Sequence, residues 1–448
     1  MLRTLTYTLK LSIDMGLKVP NLSSQNTVLF IGRNWPNPRM TAAGWRMMQL
    51  VNHFDNENFG IHFATTDSLN NTKVFEKMPR VKTWQIALND DGFDAQIKTI
   101  APDYVVFDRF MTEEQYGWRV RDCCPEAITI LDTEDCHFLR LTRAQYIKER
   151  PDIFDASDCP EESLFNQHSM RELASIWRCD LSLIIAQYEY ELLRDVFSIP
   201  EGLLCYLPLA MAFDPTESNQ ADAPRDLAWS ERKDFLWVGN RKHEPNDDSL
   251  KYLLQVLWPS IQGALPKAAL HIVGPNGTES QRQLIVKHKS VVDLGWVDEL
   301  PELMSQYRIN LAPLRFGAGL KGKIMQSLGL GLPTVSSTIG AEGLFTNTIP
   351  ELEPAQNADE FINKAIKLYT DEQYWQQAKI QGIECMKQHF SLGPSIARFN
   401  KDLLAIKNDL KAHRKRHFMG QILQHQSLNA SKYMGLWLTL KNAQINPK

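Results

Sequence analysis

The stretch Ile309-Asn-Leu-Ala-Pro-Leu-Arg-Phe-Gly-Ala-Gly-Leu-Lys-Gly-Lys-Ile324 joins an apolar run, a loop with glycines at 317, 319 and 322, and the opening of a helical pattern. An apolar run bounded by turn residues reads as a strand covered on both faces. The loop after it can cradle an anion. Glycine lets the backbone approach closely, free amides at a helix start point outward, and the helix dipole favours negative charge. Lys321, Lys323 and Arg315 supply the opposite charge. A tight strand-to-helix turn with solvated lysines would carry the same letters, so the loop alone leaves both readings open. A Walker loop needs Gly-Lys followed by Ser or Thr, whereas Ile324 follows Gly322-Lys323. A dinucleotide fingerprint would open the first strand-helix unit, yet Ile31-Gly32 leads into Arg33, Asn34 and Pro36. Nucleotide hydrolysis and hydride transfer are both disfavoured.

Around this stretch the same alternation repeats. Strands are expected at 235–239, 270–274, 291–295, 309–314 and 333–337, with helices over 247–261 and 319–330. An earlier set is expected at 27–31, 104–108, 127–132, 181–186 and 203–208. Alternating strands and helices imply parallel sheets, and ligands then sit at the carboxyl ends of the strands. The fold class is therefore α/β, with two Rossmann-like parallel-sheet domains facing a cleft. Between the two sets the periodicity lapses into Pro, Ser, Asn and Asp, which marks a linker at 214–233 and a natural hinge. The expected organisation is an extension over 1–25, a first domain over 26–213, the linker, a second domain over 234–392, and a helical tail over 393–448 that packs back toward the first domain. Amphipathic helices are expected at 358–369, 373–389 and 394–410.

With 448 residues, 43% of them hydrophobic and 23% charged, the chain has material for two globular cores. Its 49 Lys and Arg nearly balance 53 Asp and Glu, so there is no overall field to hold a polyanion, and nucleic acid is excluded as a partner. No run of about 18 apolar residues is present to span a bilayer. The opening 22 residues are too polar for a signal-peptide core. Among seven cysteines only Cys123 and Cys124 lie close in sequence, so neither a disulfide framework nor a metal site is expected, and a reducing cytoplasm fits best.

Further blocks fall in a recognisable order: Phe235-Leu-Trp-Val-Gly-Asn240, His243-Glu-Pro-Asn246, Leu270-His-Ile-Val-Gly-Pro275, Leu294-Gly-Trp296, the loop from Ala312 to Lys323, Gly331-Leu-Pro-Thr-Val335 and Gly340-Ala-Glu-Gly343. Together they resemble the group 1 glycosyltransferases of GT-B fold, which move a sugar from a nucleotide-diphosphate donor with retention at the anomeric carbon. The resemblance implies that the second domain holds the donor as a co-substrate, with no resident cofactor. Phe316, Gly317, Ala318, Gly319, Leu320, Lys321 and Lys323 would then lie against the diphosphate, with Asn240 and Arg241 facing them. Arg241 would neutralise the leaving group; otherwise it is a solvated loop charge. Many members carry two glutamates where this sequence has Ala318 and Gln326. Gln326 can still hydrogen-bond a ribose, whereas Ala318 offers a sugar only its backbone.

In the first domain, Ala42, Ala43 and Gly44 resemble a small-residue helix start beside the donor phosphate; helix packing is the other explanation for Gly44. The cluster Asp132, Glu134, Asp135, His137 and Arg140 follows an expected strand. By resemblance Asp132, Asp135 and His137 lie near the transferred sugar, while a helix cap with ion pairs to Arg140 and Arg143 explains the same letters. Their spacing matches no metal site. Glu189 sits where the family begins a cleft-side helix, and a carboxylate there also suits the helix dipole. The implied acceptor is a glycan or a lipid-linked hydroxyl in cell-surface polysaccharide or glycoconjugate synthesis. An epimerase of the same fold and a catalytically silent binding subunit are the alternatives. The basic run Lys411, Arg414, Lys415 and Arg416 reads either as a solvated face or as peripheral contact with anionic lipid at the inner membrane face.

Overall fold

A computed structural model describes residues 26–211, 226–344 and 350–425, together with 433–435, 437, 438 and 441. The expected extension, most of the expected linker and the end of the expected tail lie outside the described residues.

The first sheet is built from β1 (Thr27–Ile31), β2 (Gly60–Thr65), β3 (Val81–Gln85), β4 (Tyr104–Asp108), β5 (Ile128–Asp132), β6 (Leu181–Ile184) and β7 (Leu204–Tyr206), in the order 3-2-1-4-5-6-7. The second holds β8 (Lys233–Val238), β9 (Leu270–Val273), β10 (Val291–Gly295), β11 (Tyr307–Ala312) and β12 (Thr334–Ser336), in the order 10-9-8-11-12. The strand pairs given by these orders are parallel. Ten of these strands coincide with sequence expectation to within a few residues. β2 and β3 were not anticipated. Gly60-Ile-His-Phe-Ala-Thr65 opens on glycine and carries a histidine, and Val81-Lys-Thr-Trp-Gln85 is a half-exposed edge strand, so neither forms an apolar run.

Each strand order reverses once, between β1 and β4 in the first sheet and between β8 and β11 in the second. A crevice opens at such a switch point, at the carboxyl ends of the strands. The phosphate loop leaves β11 at one of them, and the register of β4 against β5 sets Asp108 directly beside Asp132 at the other.

The first lobe has an aromatic core around Phe30, Phe54, Phe59 and Phe63, and the second buries Trp237, Trp258 and Trp375. The cores are not sealed from one another. Ile185, Ala186 and Leu209 belong to the same apolar cluster as Leu320 and Leu344, so the lobes touch through packed side chains at the phosphate loop. The helix Glu372–His389 packs on the second lobe, whereas Leu392–Asn408 returns to the first, setting Phe399, Leu403 and Ile406 against Val28, Phe30 and Phe54. Asn400 on that helix meets His53 Nε2 at 2.8 Å. The two crossings between lobes are joined, since the amide of Met211 donates to the carbonyl of Phe390 at 2.9 Å.

Candidate active site

The loop after β11 takes its shape from two left-handed residues, Gly317 (φ 155°) and Gly319 (φ 64°). Space also demands glycine at 319, because a Cβ there would lie 2.8 Å from the Cβ of Asp135 and 3.2 Å from Ile185. The following helix, Gly322–Gly329, begins against the first lobe: a Cβ on Gly322 would be 3.1 Å from that of Ala42. Ala42 opens the helix Ala42–Asn56, whose cap Thr41 accepts from the amide of Gly44 at 2.9 Å. Two helix N-termini, one from each lobe, therefore meet at this point, and each carries partial positive charge.

Two buried lysines add to that charge. Lys321 Nζ donates to the carbonyl of Gly319 at 2.8 Å and lies 4.0 Å from Glu342. Lys323 Nζ donates to Asn246 Oδ1 at 2.8 Å and sits over the ring of Trp237. Burial, helped by the charge of Lys321, pulls Lys323 down to about 7; burial also lowers Lys321, against the pull of Glu342. An anion between the two helix starts would offset both penalties.

The first lobe grips this loop with charged groups of its own. Arg143 makes a two-pronged pair with Glu342, 2.7 Å on each arm, and donates to the carbonyl of Gly317 at 3.0 Å. Burial alone would raise the Glu342 carboxyl, but Arg143 holds it below the usual carboxylate range. Glu189 Oε1 accepts from the amides of Gly319 (2.8 Å) and Cys136 (2.9 Å). Buried and near Asp135, Glu189 is pushed up to about 8. The side chain of Phe316 inserts between Ile147 and Ala156 of the first lobe.

Opposite the loop lies the carboxylate cluster of the first lobe. Asp132 is buried beside Arg46, whose Nε is 3.2 Å away. Glu134 has a left-handed backbone (φ 64°), as does Arg109 (φ 71°) on the neighbouring strand end; such strain persists where the surroundings fix it. Its Oε1 is buried without a hydrogen-bond partner, and burial, then the charge of Asp132, raises the carboxyl well above its usual range. Asp135 behaves oppositely. Burial pushes it up, but Arg140, which it pairs with, and His137 outweigh that and leave it at about 2. His137 Nδ1 stands 3.7 Å from Asp135 and 3.8 Å from Glu172, and its amide donates to Glu172. His243 of the second lobe feels the charges of Arg140, Asp135, Lys323 and Arg109, and burial lowers it to about 4. Among the described residues no group of three or more His, Cys, Asp or Glu could hold a metal ion.

Residues 232–371 match the family model described as glycosyl transferases, group 1. No curated protein matches the chain by sequence. Solved structures do match in fold. Sucrose-phosphate synthase from Thermosynechococcus elongatus superposes with a TM-score of 0.64 at 16% identity, covering 86% of this chain and 99% of that one. Anabaena HepE in complex with UDP-glucose gives 0.59 at 12%, covering 85% and 99%. TarM of S. aureus, in a complex that includes UDP, gives 0.64 at 7%, covering 86% and 100%. Residues 232–371 thus match a group 1 glycosyltransferase domain, and the chain as a whole shares the fold of these solved structures.

The structure gathers Gly317, Gly319, Leu320, Lys321, Lys323, Asp135 and His137 around the meeting of the lobes, with Asp132 at the adjoining strand end. Other sequence candidates are placed differently. Arg241 is turned into its own lobe, donating to Asp293 at 2.6 Å and to the carbonyl of Gly274 at 3.0 Å; a Cβ on Gly277 would lie 2.5 Å from its guanidinium carbon. It is therefore not among the cations at the loop. Asn240 caps its own turn, accepting from the amide of Lys242, while Asn246 links its carbonyl to Lys323. Gly44 is required by the backbone of Asn37, whose oxygen would lie 2.3 Å from an added Cβ, which is the packing explanation. Ala318 packs on the first-lobe apolar cluster that includes Cys136 and Phe138, and Gln326 is half-buried on the first helix turns after the loop. Arg315 binds Asp248 and the carbonyl of Ile153, away from Lys321. The sequence reading assigned no role to Glu342, placed Glu134 only within the carboxylate cluster, and saw Arg143 only as an ion-pair partner for that cluster. For Glu342 the Gly340-Ala-Glu-Gly343 block was the available signal.

Proposed function

We propose that the protein transfers a sugar from a nucleoside-diphosphate donor to an acceptor hydroxyl, with retention. The observation that carries this is the convergence of two helix N-termini with the buried Lys321 and Lys323, a site suited to a diphosphate and to little else. The UDP-containing complexes of HepE and TarM support a nucleotide-sugar donor. Donor binding falls to the domain over 234–392 and acceptor binding to that over 26–213. The helices Leu392–Asn408 and Leu410–Arg416 are anchored on the first domain.

The acceptor oxygen attacks the anomeric carbon on the face the diphosphate leaves. The bond from that carbon to the phosphate oxygen breaks, and the acceptor proton passes to the departing phosphate. Products are the glycoside and the nucleoside diphosphate. Lys321, Lys323 and the amides of the loop stabilise the charge that grows on the leaving group. Asp135, held ionised, and His137 orient the sugar or acceptor hydroxyls. Glu134, whose buried Oε1 has no partner in the protein, offers them a hydrogen bond, and Asp132 fixes Arg46 behind the cluster. Closing the lobes excludes water that would otherwise hydrolyse the donor. The acceptor is a glycan or lipid-linked hydroxyl of a surface polysaccharide or glycoconjugate, handled in the cytoplasm.

The test is binding and slow hydrolysis across a panel of nucleoside-diphosphate sugars, comparing the parent with Lys321→Ala. One donor should bind, hydrolyse slowly, and lose about 100-fold or more in kcat/KM in the variant. No binding at millimolar concentration would make the chain a silent relative, and conversion of the donor to its epimer without acceptor would make it an epimerase.

A further inference from the structure

The helices Leu410–Arg416 and Phe418–Gln424 wear their amphipathicity inside out. The face docked on the first lobe is polar. His413 meets the carbonyl of Asp180 at 2.9 Å, Arg414 pairs with the Asp180 carboxylate at 2.8 Å, and Gln424 donates to the carbonyl of Arg178 at 3.1 Å. Gly420 lies so close to the carbonyl of Trp177 that a Cβ would be 2.1 Å from its oxygen. The outward face carries Lys411, Lys415 and Arg416, then Phe418, Met419 and Ile422, the last three 56%, 46% and 52% exposed. Lys411 and Lys415 lie one turn apart on the first helix, and Phe418, Met419 and Ile422 are exposed on the second, which follows after His417, so exposed cations and apolar groups adjoin along the chain. An ordinary surface helix turns its apolar stripe to the core. Further along, Tyr433, Met434, Trp437 and Leu438 repeat the pattern, all exposed, with Lys441 over the Trp437 ring.

Single exposed apolar residues are common, but a run of them adjoining cations is a docking surface. We propose that this outward face docks on the surface of an anionic lipid bilayer. Charge complementarity selects that occupant. The chain as a whole carries a net charge of −4, so the cations at this face are a local feature, matched to anionic headgroups while Phe418, Met419 and Ile422 enter the acyl boundary. Arg414 of the same run takes no part, since it is spent on Asp180. Among the described residues no helix is long and apolar enough to cross a membrane, so the contact is interfacial. It holds whichever acceptor the transferase uses.

The experiment is co-sedimentation of the full chain with vesicles of phosphatidylcholine alone and of phosphatidylcholine with phosphatidylglycerol. The chain should bind the anionic vesicles, and added salt should weaken the binding. The triple variant Phe418→Ser, Met419→Ser, Ile422→Ser and the double variant Lys411→Glu, Lys415→Glu should each reduce partitioning by about tenfold or more. All five side chains are exposed, so circular dichroism and thermal melting should match the parent. Equal binding to both vesicle types, or variants that partition like the parent, would overturn the proposal. So would an absence of vesicle binding together with self-association that the triple variant abolishes, which would give the face to a second copy of this chain.

Discussion

Two buried charged regions face each other across the cleft, and they are balanced differently. On the loop side, burial lowers both Lys321 and Lys323, and of the carboxylates that act on Lys321 the foremost, Glu342, is already held by Arg143. On the opposite side, Asp108, Asp132, Glu134 and Asp135 are interleaved with Arg46, Arg109 and Arg140, so that Arg140 and His137 hold Asp135 low while burial raises Glu134. An uncompensated cationic region wants an anionic ligand. A compensated region with buried, unpartnered carboxyl oxygens on Asp108, Asp132 and Glu134 suits hydroxyls. Under the proposed function the diphosphate belongs on the first of these sides and the acceptor on the second.

The sharpest break of this comparison lies within the carboxylate cluster. Asp135→Asn leaves Arg140 buried without its counter-charge and should lower kcat/KM by about 100-fold. Burial raises the Glu134 carboxyl, so Glu134→Gln, which keeps its shape and hydrogen bonding, should stay within about threefold of the parent, whereas Glu134→Ala should lose about tenfold. Steady-state kinetics on the three variants checks this, and equal losses in Asp135→Asn and Glu134→Gln would show that both carboxyls act as anions.

A smaller effect sharpens the loop side. Lys323 sits at about 7 in the free protein, and a bound diphosphate raises it. Below pH 7 the lysine is already charged. Above pH 7 binding must take up a proton, so affinity should fall up to tenfold per pH unit until the pKa of the complex is passed. Calorimetric titration with UDP between pH 6 and 9 reads the slope, and Lys323→Ala should remove it.

The smallest expected effect concerns Ala318. Its methyl packs on Cys136 and Phe138, so Ala318→Glu would bury a carboxylate in an apolar cluster and hold the lobes apart. Despite bringing the chain nearer to the common family pattern, it should weaken donor turnover several-fold. Improved turnover would mean that the lobes close differently around a donor.

The loop was legible because its signal is local: three glycines, two lysines and the strand before them lie within sixteen residues. The same holds for Asp132, Asp135 and His137, which follow one strand end. The interlobe pair Arg143–Glu342 was not legible, since its members stand 199 residues apart and nothing in either neighbourhood names the other. Arg241 shows the converse. Its position after β8 suggested a leaving-group cation, but the turn brings Asp293 and the carbonyl of Gly274 within reach, and a buried guanidinium is satisfied by whatever is nearest. Glu134 needed its left-handed backbone and unpartnered oxygen, neither of which a sequence displays.

The hydrogen bond between Met211 and Phe390 has a mechanical consequence. A pair of lobes joined by one strand of chain could twist and roll as well as gape. Here the chain passes between them twice, and the passages are stapled side by side. Two passages tied at that point leave the lobes fewer ways to move apart than one would, and the loop glycines meet Glu189 and Arg143 with the lobes so joined.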